Sequence, residues 1–401
     1  MLNKKYFFSK HNFDKSKLNK NIKKTKKCFN KLKSDLENFK IPLLGSYEKD
    51  YNFDFSHSMI KKFNKHKNII IIGMGGSVLG TKSIYSFFKN KIKKKVFFFD
   101  NLDLNFEYKK IRNLKDSCFI VAGKSGKTIE TIINLGTVFS KNLLKNKLII
   151  IAETTDNSLM YLAIKYNAEI IEHKKFISGR YSVLSETGMF PAALMGLNLM
   201  KFKNLKNLIK NRKFISILIQ NVASIYTFNS KKINNSVIIN YDTSLNDLGY
   251  WYQQLVAESL GKKGKGINLF LSFGPKDHHS LLQLYLDGPR DKFFTFFNLS
   301  KKEDKFKISQ DVISNNMKFL KNKKISFVVN AQCNAVKNIF KLKKIPFREI
   351  TFDKKNEEEL GEFFTFSVLE TILLARLMKI DPFDQPAVEE VKTETKKILL
   401  R

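Results

Sequence analysis

Ile69-Ile70-Ile71-Ile72-Gly73-Met74-Gly75-Gly76-Ser77-Val78-Leu79-Gly80 decides the fold class of this chain. Four consecutive isoleucines show no apolar–polar alternation, so a strand built from them is covered on both faces, the condition of a parallel sheet with crossover helices. The glycines that follow let the backbone approach a ligand closely, and the free N–H groups of the next helix start can face an anion. The stretch lacks the full dinucleotide spacing, and no Lys-Ser/Thr pair completes a nucleotide P-loop within it. From these residues alone, a phosphate site and a tight turn needing glycine for sterics both stay open.

The same pattern recurs outward from this stretch. Val96-Phe97-Phe98-Phe99, Phe119-Ile120-Val121 and Leu148-Ile149-Ile150-Ile151 alternate with helical segments, and Ala168 to Ile171 supplies a fifth strand. A polar segment around Lys201 to Lys213 reads as helix surface. Alternation then resumes with Val237-Ile238-Ile239, Phe270-Leu271-Ser272-Phe273, Phe294-Thr295-Phe296-Phe297, Ile325-Ser326-Phe327-Val328-Val329 and Ile350-Thr351-Phe352. The expectation is an α/β chain with a helical arm over 1–60, a first domain over 61–213 and a second over 214–401. Ligands of open α/β sheets lie at the carboxyl ends of the strands, so the loops after these runs are where chemistry is sought. One such loop is Gly123-Lys124-Ser125-Gly126-Lys127-Thr128. Ser125 and Thr128 can donate to a phosphate monoester while backbone amides and lysines neutralise its charge. An N-capped helix with a solvated lysine is the other reading.

Bulk composition narrows the classes. With 43% hydrophobic residues in 401, the chain has material for two cores, which excludes disordered and collagen-like proteins. The three cysteines, Cys28, Cys118 and Cys333, have no metal-ligand spacing and fit a reducing cytoplasm. No apolar run reaches bilayer length and the Lys-rich start has no signal-type apolar stretch, so a soluble cytoplasmic protein is expected, with no membrane partner. The 72 Lys+Arg against 37 Asp+Glu give a net charge of +35. Lysine is spread along the whole chain, so nucleic acid is not the expected partner, whereas an anionic small substrate gains from the same field.

The acid/base candidate lies further along. Gln254 and Glu258 are four apart in Trp251 to Leu260 and project side by side from a predicted helix, which Gly261 is placed to end in a left-handed cap. The apolar surroundings imply a largely buried carboxylate. After it comes Asp277-His278-His279-Ser280 at a predicted helix start, where the dipole favours a neutral imidazole.

Taken in order, Gly73 to Gly80, Gly123 to Thr131, Gly179-Arg180-Tyr181-Ser182-Val183-Leu184-Ser185, Gln254 to Lys262, His279-Ser280 and Asp384-Gln385-Pro386-Ala387-Val388-Glu389-Glu390-Val391-Lys392 make the chain resemble the glucose-6-phosphate isomerase family. The match spans about residues 68 to 400. The resemblance implies two sugar-isomerase domains, each a five-stranded parallel sheet between helices. It implies interconversion of glucose 6-phosphate and fructose 6-phosphate through a cis-enediol, in glycolysis and gluconeogenesis, without cofactor or metal. It also implies a homodimer in which the His279 segment completes the neighbouring site. Carried over by position, Glu258 is the base, Arg180 steadies the developing oxyanion, His279 opens the sugar ring and Lys392 works near it. Ser77, Lys124, Ser125 and Thr128 match the phosphate-loop residues, and Gly76, Gly179, Gln254 and Gln385 match substrate-contacting positions. His279 is preferred to His278 because Ser280 and Leu281-Leu282-Gln283-Leu284 follow it as in the family.

The chain departs from the pattern at Gly123, where serine is usual, and at Lys127, where threonine is usual. It departs again at Ser178, His278 and Ala387, where glycine, glutamine and glycine are common. The first two bear on phosphate affinity.

Overall fold

The computed structural model describes residues 14–104, 116–138, 147–300, 304 and 308–401. Strands β1 (Asn68–Gly73), β2 (Lys95–Phe99), β3 (Ser117–Ala122), β4 (Leu148–Ala152) and β5 (Glu169–Glu172) form a parallel sheet in the order β2-β1-β3-β4-β5. Strands β6 (Asn235–Asn240), β7 (Asn268–Phe273), β8 (Lys292–Leu299) and β9 (Phe347–Phe352) form a second, ordered β7-β6-β8-β9. The helices are α1 (Lys15–Glu37), α2 (His57–Asn64), α3 (Gly76–Phe88), α4 (Ile129–Val138), α5 (Ser158–Lys165), α6 (Glu186–Leu194), α7 (Arg212–Asn229), α8 (Asn246–Leu260), α9 (Leu282–Asp287), α10 (Ile325–Leu342), α11 (Glu357–Met378) and α12 (Ala387–Leu399).

The pleat of β1 sorts its isoleucines between two cores. Ile69 and Ile71 pack with Ile120, Ile149 and Ile151 against Phe63 of α2 and Phe190 and Leu194 of α6. Ile70 and Ile72 pack with Phe119, Val121 and Ile150 against Leu135 and Val138 of α4 and Leu159 and Ala163 of α5. Side chains alternate faces with a period of two, so an unbroken apolar run is what a sheet covered on both sides requires.

The second sheet has four strands rather than the five expected. Ile325 to Val329, read as a strand, opens α10 instead. Its buried residues are Cys333, Val336 and Phe340, spaced as a helix face, while Ile325 and Phe327 are exposed. A short apolar run does not distinguish the two states, and here the helical period continues past it.

One further expectation changes. The segment 202–213 is not one solvated helix: it comprises the end of a 3-10 turn (Leu199–Phe202), a one-turn helix (Leu205–Leu208) and the start of α7. Within it Lys203 is buried, its Nζ 4.4 Å from the Tyr51 ring centre and 4.0 Å from that of Phe53. In the N-terminal segment, α1 packs onto the body. Phe29 and Leu32 are buried, Asn21 Nδ2 donates to Thr227 Oγ1 at 2.9 Å, and Asp35 pairs with Arg376 at 2.7 Å.

Helix α8 comes from the second half of the chain but packs against α3 of the first. Its placement is fixed by a buried ion pair, Arg348 of β9 with Glu370 of α11 at 2.6 Å. Tyr252 of α8 donates to Glu370 at 2.6 Å and accepts from Arg348 at 2.9 Å. A fully hydrogen-bonded pair of this kind offsets its own desolvation, and breaking it costs about 3–5 kcal/mol. The helix that carries Glu258 is thereby locked to the second sheet while facing the first.

Candidate active site

From β1 the chain crosses to β2 on one side, while β3 and β4 build out on the other. The carboxyl ends of β1 and β3 therefore frame the crevice where open α/β sheets bind ligands. Both glycine-bearing loops lie there. Gly76 begins α3, and a Cβ on it would fall 2.2 Å from the carbonyl carbon of Gly179. Only glycine permits this approach, which sets the Arg180 backbone against the first loop. Gly126 has φ +64, and a Cβ there would sit 1.9 Å from Asn157 Oδ1, the atom that caps α5 by accepting from Leu159 and Met160 N–H.

Arg180 stands on a 3-10 turn (Gly179–Leu184) and is 2% exposed. All its donors are used. Nε donates to Ser259 Oγ at 2.9 Å, and Nη1 to Glu258 Oε2 at 3.2 Å and Gln385 Oε1 at 2.8 Å. Nη2 donates to the carbonyls of Pro382 at 2.7 Å and Asp384 at 3.0 Å. A planar fork with five N–H groups fits five acceptors in fixed directions, which an ammonium does not.

Glu258 is held from its other side by Gln254, whose Nε2 donates to Oε1 at 2.7 Å. The carboxylate is less buried than its apolar neighbours implied, with 32% of the side chain exposed. It lies on the solvent-facing edge of α8 and opens onto a cavity of about 580 Å³ lined also by Leu79, Lys82, Asp100, Tyr250 and Gln254. Gln254 Oε1, on the same amide, is buried and accepts no hydrogen bond among the described residues. Helix α8 does not end in a left-handed cap: Gly261 has φ −76 and its N–H bonds Ala257 O. Positive φ falls later, at Lys263, Gly264 and Gly266.

Around the phosphate loops, Ser77 is in the first turn of α3 and buried. Lys124 Nζ donates to Lys175 O at 2.7 Å and lies 3.7 Å from Glu153. Burial pulls the Lys124 ammonium below its ordinary pKa, and Glu153 opposes the shift. Ser125 is exposed, its Oγ accepting from Lys127 N–H at 3.4 Å, and Thr128 is half-buried just before α4. Behind them, His173 after β5 is buried with no partner for Nε2 among the described residues, and burial lowers its pKa to about 4.

His279 and Lys392 are not joined to this cluster. His279 is exposed on a 3-10 turn (Lys276–His279), and no hydrogen bond among the described residues ties it. His278 is committed within the chain, with Nε2 2.6 Å from Tyr241 Oη, and burial lowers its pKa. Asp277 stiffens the turn by accepting from Phe273 N–H and from the hydroxyls of Ser272 and Ser280. Burial alone would raise the Asp277 carboxyl, but those bonds hold it below its ordinary value. Lys392 is exposed on α12 and pairs with Glu389 at 2.6 Å. Sequence reading missed Ser259, Tyr181 and the carbonyls of residues 382 and 384. The only signal for them was adjacency to Glu258, Arg180 and Gln385. Tyr181 Oη contacts Ser259 Oγ at 2.8 Å and donates to Pro382 O at 3.0 Å.

The arrangement pairs a carboxylate with a fixed guanidinium at the mouth of a cavity, flanked by loops suited to an anion. That is the outfit for moving a carbon-bound proton next to a carbonyl. Glucose-6-phosphate isomerase of Methanocaldococcus jannaschii is 31% identical over 360 residues, covering 86% of this chain and 87% of that protein. The enzyme of the same name from Mycoplasmopsis synoviae is 31% identical over 373 residues, covering 86% of each. Among solved structures, a hypothetical protein of Thermus thermophilus shares the fold with TM-score 0.82 and 20% identity, over 95% of this chain and 96% of that one. A glucose-6-phosphate isomerase of Chlamydia trachomatis aligns with TM-score 0.70 and 17% identity, over 85% of this chain and 71% of that one. The sequence model of the phosphoglucose isomerase family matches residues 56–400, and the chain belongs to that family.

Proposed function

We infer that this chain is an aldose-ketose isomerase that interconverts glucose 6-phosphate and fructose 6-phosphate. The observation that carries the reading is Glu258, fixed by Arg180 on one oxygen and Gln254 on the other, at the edge of a cavity it shares with Gln254. Moving a carbonyl between C1 and C2 requires a base, a stabiliser for the enediolate and a means of opening the ring. Glu258 takes the C2 proton and returns it to C1 on the same face, so the intermediate is a cis-enediol. Arg180 Nη1 donates to Glu258 in the resting site; taking up the proton weakens that bond and frees the N–H to donate to the oxyanion as it forms, a contribution of about 3 kcal/mol for one well-placed donor. Ser77, Lys124, Ser125 and Thr128 hold the phosphate, while Gly76, Gly179, Gln254 and Gln385 set the sugar chain.

His279 opens the ring from the neighbouring subunit of a homodimer, with Lys392 beside it. Two features support this: His279 is exposed and outside its own chain's Arg180–Glu258 cluster, and α12 has no buried residue while exposing Val388, Val391 and Ile398. The protein acts in the cytoplasm, in glycolysis and gluconeogenesis, as an arm over 1–60 followed by sugar-isomerase domains over 61–213 and 214–401. Among the described residues no helix is long and apolar enough to cross a membrane. The net charge of +35 favours an anionic substrate.

The test is a coupled assay on fructose 6-phosphate with Glu258→Gln beside the parent. Loss of about a thousandfold or more in kcat is expected, since the amide has no basic oxygen for the proton. Normal turnover in that variant overturns the assignment.

A further inference from the structure

Three of the five acceptors that orient Arg180 come from one short strap, residues 381–385, which connects α11 to α12 and buries little of itself. Such a strap needs an anchor of its own. The chain supplies it just past Glu258. After α8 the backbone makes a tight hairpin, with Lys262 N–H donating to Lys265 O at 3.2 Å and Lys265 N–H to Lys262 O at 2.9 Å. Lys263 and Gly264 at its tip have φ 53 and 68. Both hairpin lysines reach the end of α11 and the strap: Lys265 Nζ donates to Met378 O at 2.9 Å, and Lys262 Nζ donates to Asp381 O and to Asp384 Oδ1, the latter at 2.6 Å. The Lys262 side chain is only 10% exposed.

We propose that Lys262 is a positioning residue for the isomerisation, acting through Asp384 and Asp381 to aim Arg180 at the enediolate; the proposal rests on the isomerase reading above. The linkage is short. Lys262 grips the Asp384 carboxylate, the Asp384 carbonyl accepts from Arg180 Nη2, and the next residue, Gln385, accepts from Nη1. Nη1 is the nitrogen that faces Glu258. Base and anchor are four residues apart on one segment, so displacing the hairpin shifts the guanidinium relative to the carboxylate. Ser178 adds a further tie by donating from Oγ to Phe383 O at 3.2 Å. Without Lys262 the strap keeps that bond, the Tyr181 hydroxyl on Pro382 O, its own Phe383 N–H on Asp381 Oδ1 and the Arg180 bonds, none of which holds the Asp384 carboxylate.

A misaimed stabiliser acts on the chemical step, while the phosphate loops are untouched. The experiment compares parent, Lys262→Met, Lys262→Arg and Asp384→Asn by fructose 6-phosphate kinetics and by hydrogen exchange of peptides covering residues 378–386. Expected for Lys262→Met are a kcat lower by about tenfold to a hundredfold with KM raised only about severalfold, since Gln385 moves with the strap while the phosphate loops do not, and faster exchange confined to that segment. Lys262→Arg recovers most of the kcat, and combining Lys262→Met with Asp384→Asn lowers kcat no further than the worse single change, because both cut one linkage. Unchanged exchange in Lys262→Met overturns the anchor whether or not the enzyme turns over. Faster exchange with parental kcat, or a rise in KM alone, overturns its role in catalysis. Absence of turnover in the parent is instead the failure of the isomerase reading, and takes the positioning role with it.

Discussion

Arg180→Lys puts the whole chemical reading at risk in one substitution. The guanidinium donates to five acceptors at 2.7 to 3.2 Å and is 2% exposed. An ammonium has three donors radiating from one point, so at least two acceptors lose their partner. Of the five, the Ser259 and Pro382 acceptors are buried, and each left unsatisfied costs about 1–3 kcal/mol, which places the stability loss at up to about 6 kcal/mol. Catalysis suffers separately. Lysine keeps the charge but not the fork, so the donor toward the oxyanion is lost or misdirected, for about 3 kcal/mol of transition-state stabilisation and about a hundredfold in kcat. KM changes little, because the phosphate is held elsewhere. The assay couples glucose 6-phosphate formation to a dehydrogenase, with thermal unfolding measured alongside to separate the two losses. A folded variant with kcat within threefold of the parent refutes the argument, since it would mean that charge alone, without the fork, suffices.

Gly126→Ala places a Cβ where Asn157 Oδ1 now lies and forces an L-residue to φ +64, so the cap of α5 and the phosphate loop are lost together. The cost is about 2–3 kcal/mol from cap and strain, with a several-fold rise in KM for sugar phosphate; unchanged melting temperature and KM contradict it. His173 predicts a pH dependence. Its folded pKa is lowered to about 4, by burial first, against an ordinary 6.5. Between these values the unfolded chain binds a proton that the folded chain does not. The contribution is therefore complete above pH 6.5 and is lost as pH falls toward 4, about 2 kcal/mol of it by pH 5. Urea unfolding from pH 4.5 to 7.5 should show this limb flattened in His173→Leu, and parallel profiles in the two proteins remove the assignment.

Much of the fold was written in local chemistry. Four isoleucines followed by glycines specify a strand covered on both faces and a helix start open to an anion, and β1 and α3 took that form because hydrophobic period and backbone permissiveness act over a few residues. The i, i+4 spacing put Gln254 and Glu258 in contact for the same reason. Ile325 to Val329 failed as a strand because a five-residue apolar run carries no period of its own, and only the packing of Cys333, Val336 and Phe340 resolves it as helix. Lys203 failed as a surface residue because no local rule shows that Tyr51 and Phe53 close over it. The sequence by itself determined which residue types serve the chemistry and which elements carry them. Tertiary structure alone decided that a loop at 180, a helix at 258 and a strap at 384 meet, and that an anchor at 262 holds the strap. Those contacts span scores of residues, and long-range packing and burial, rather than local propensity, choose them.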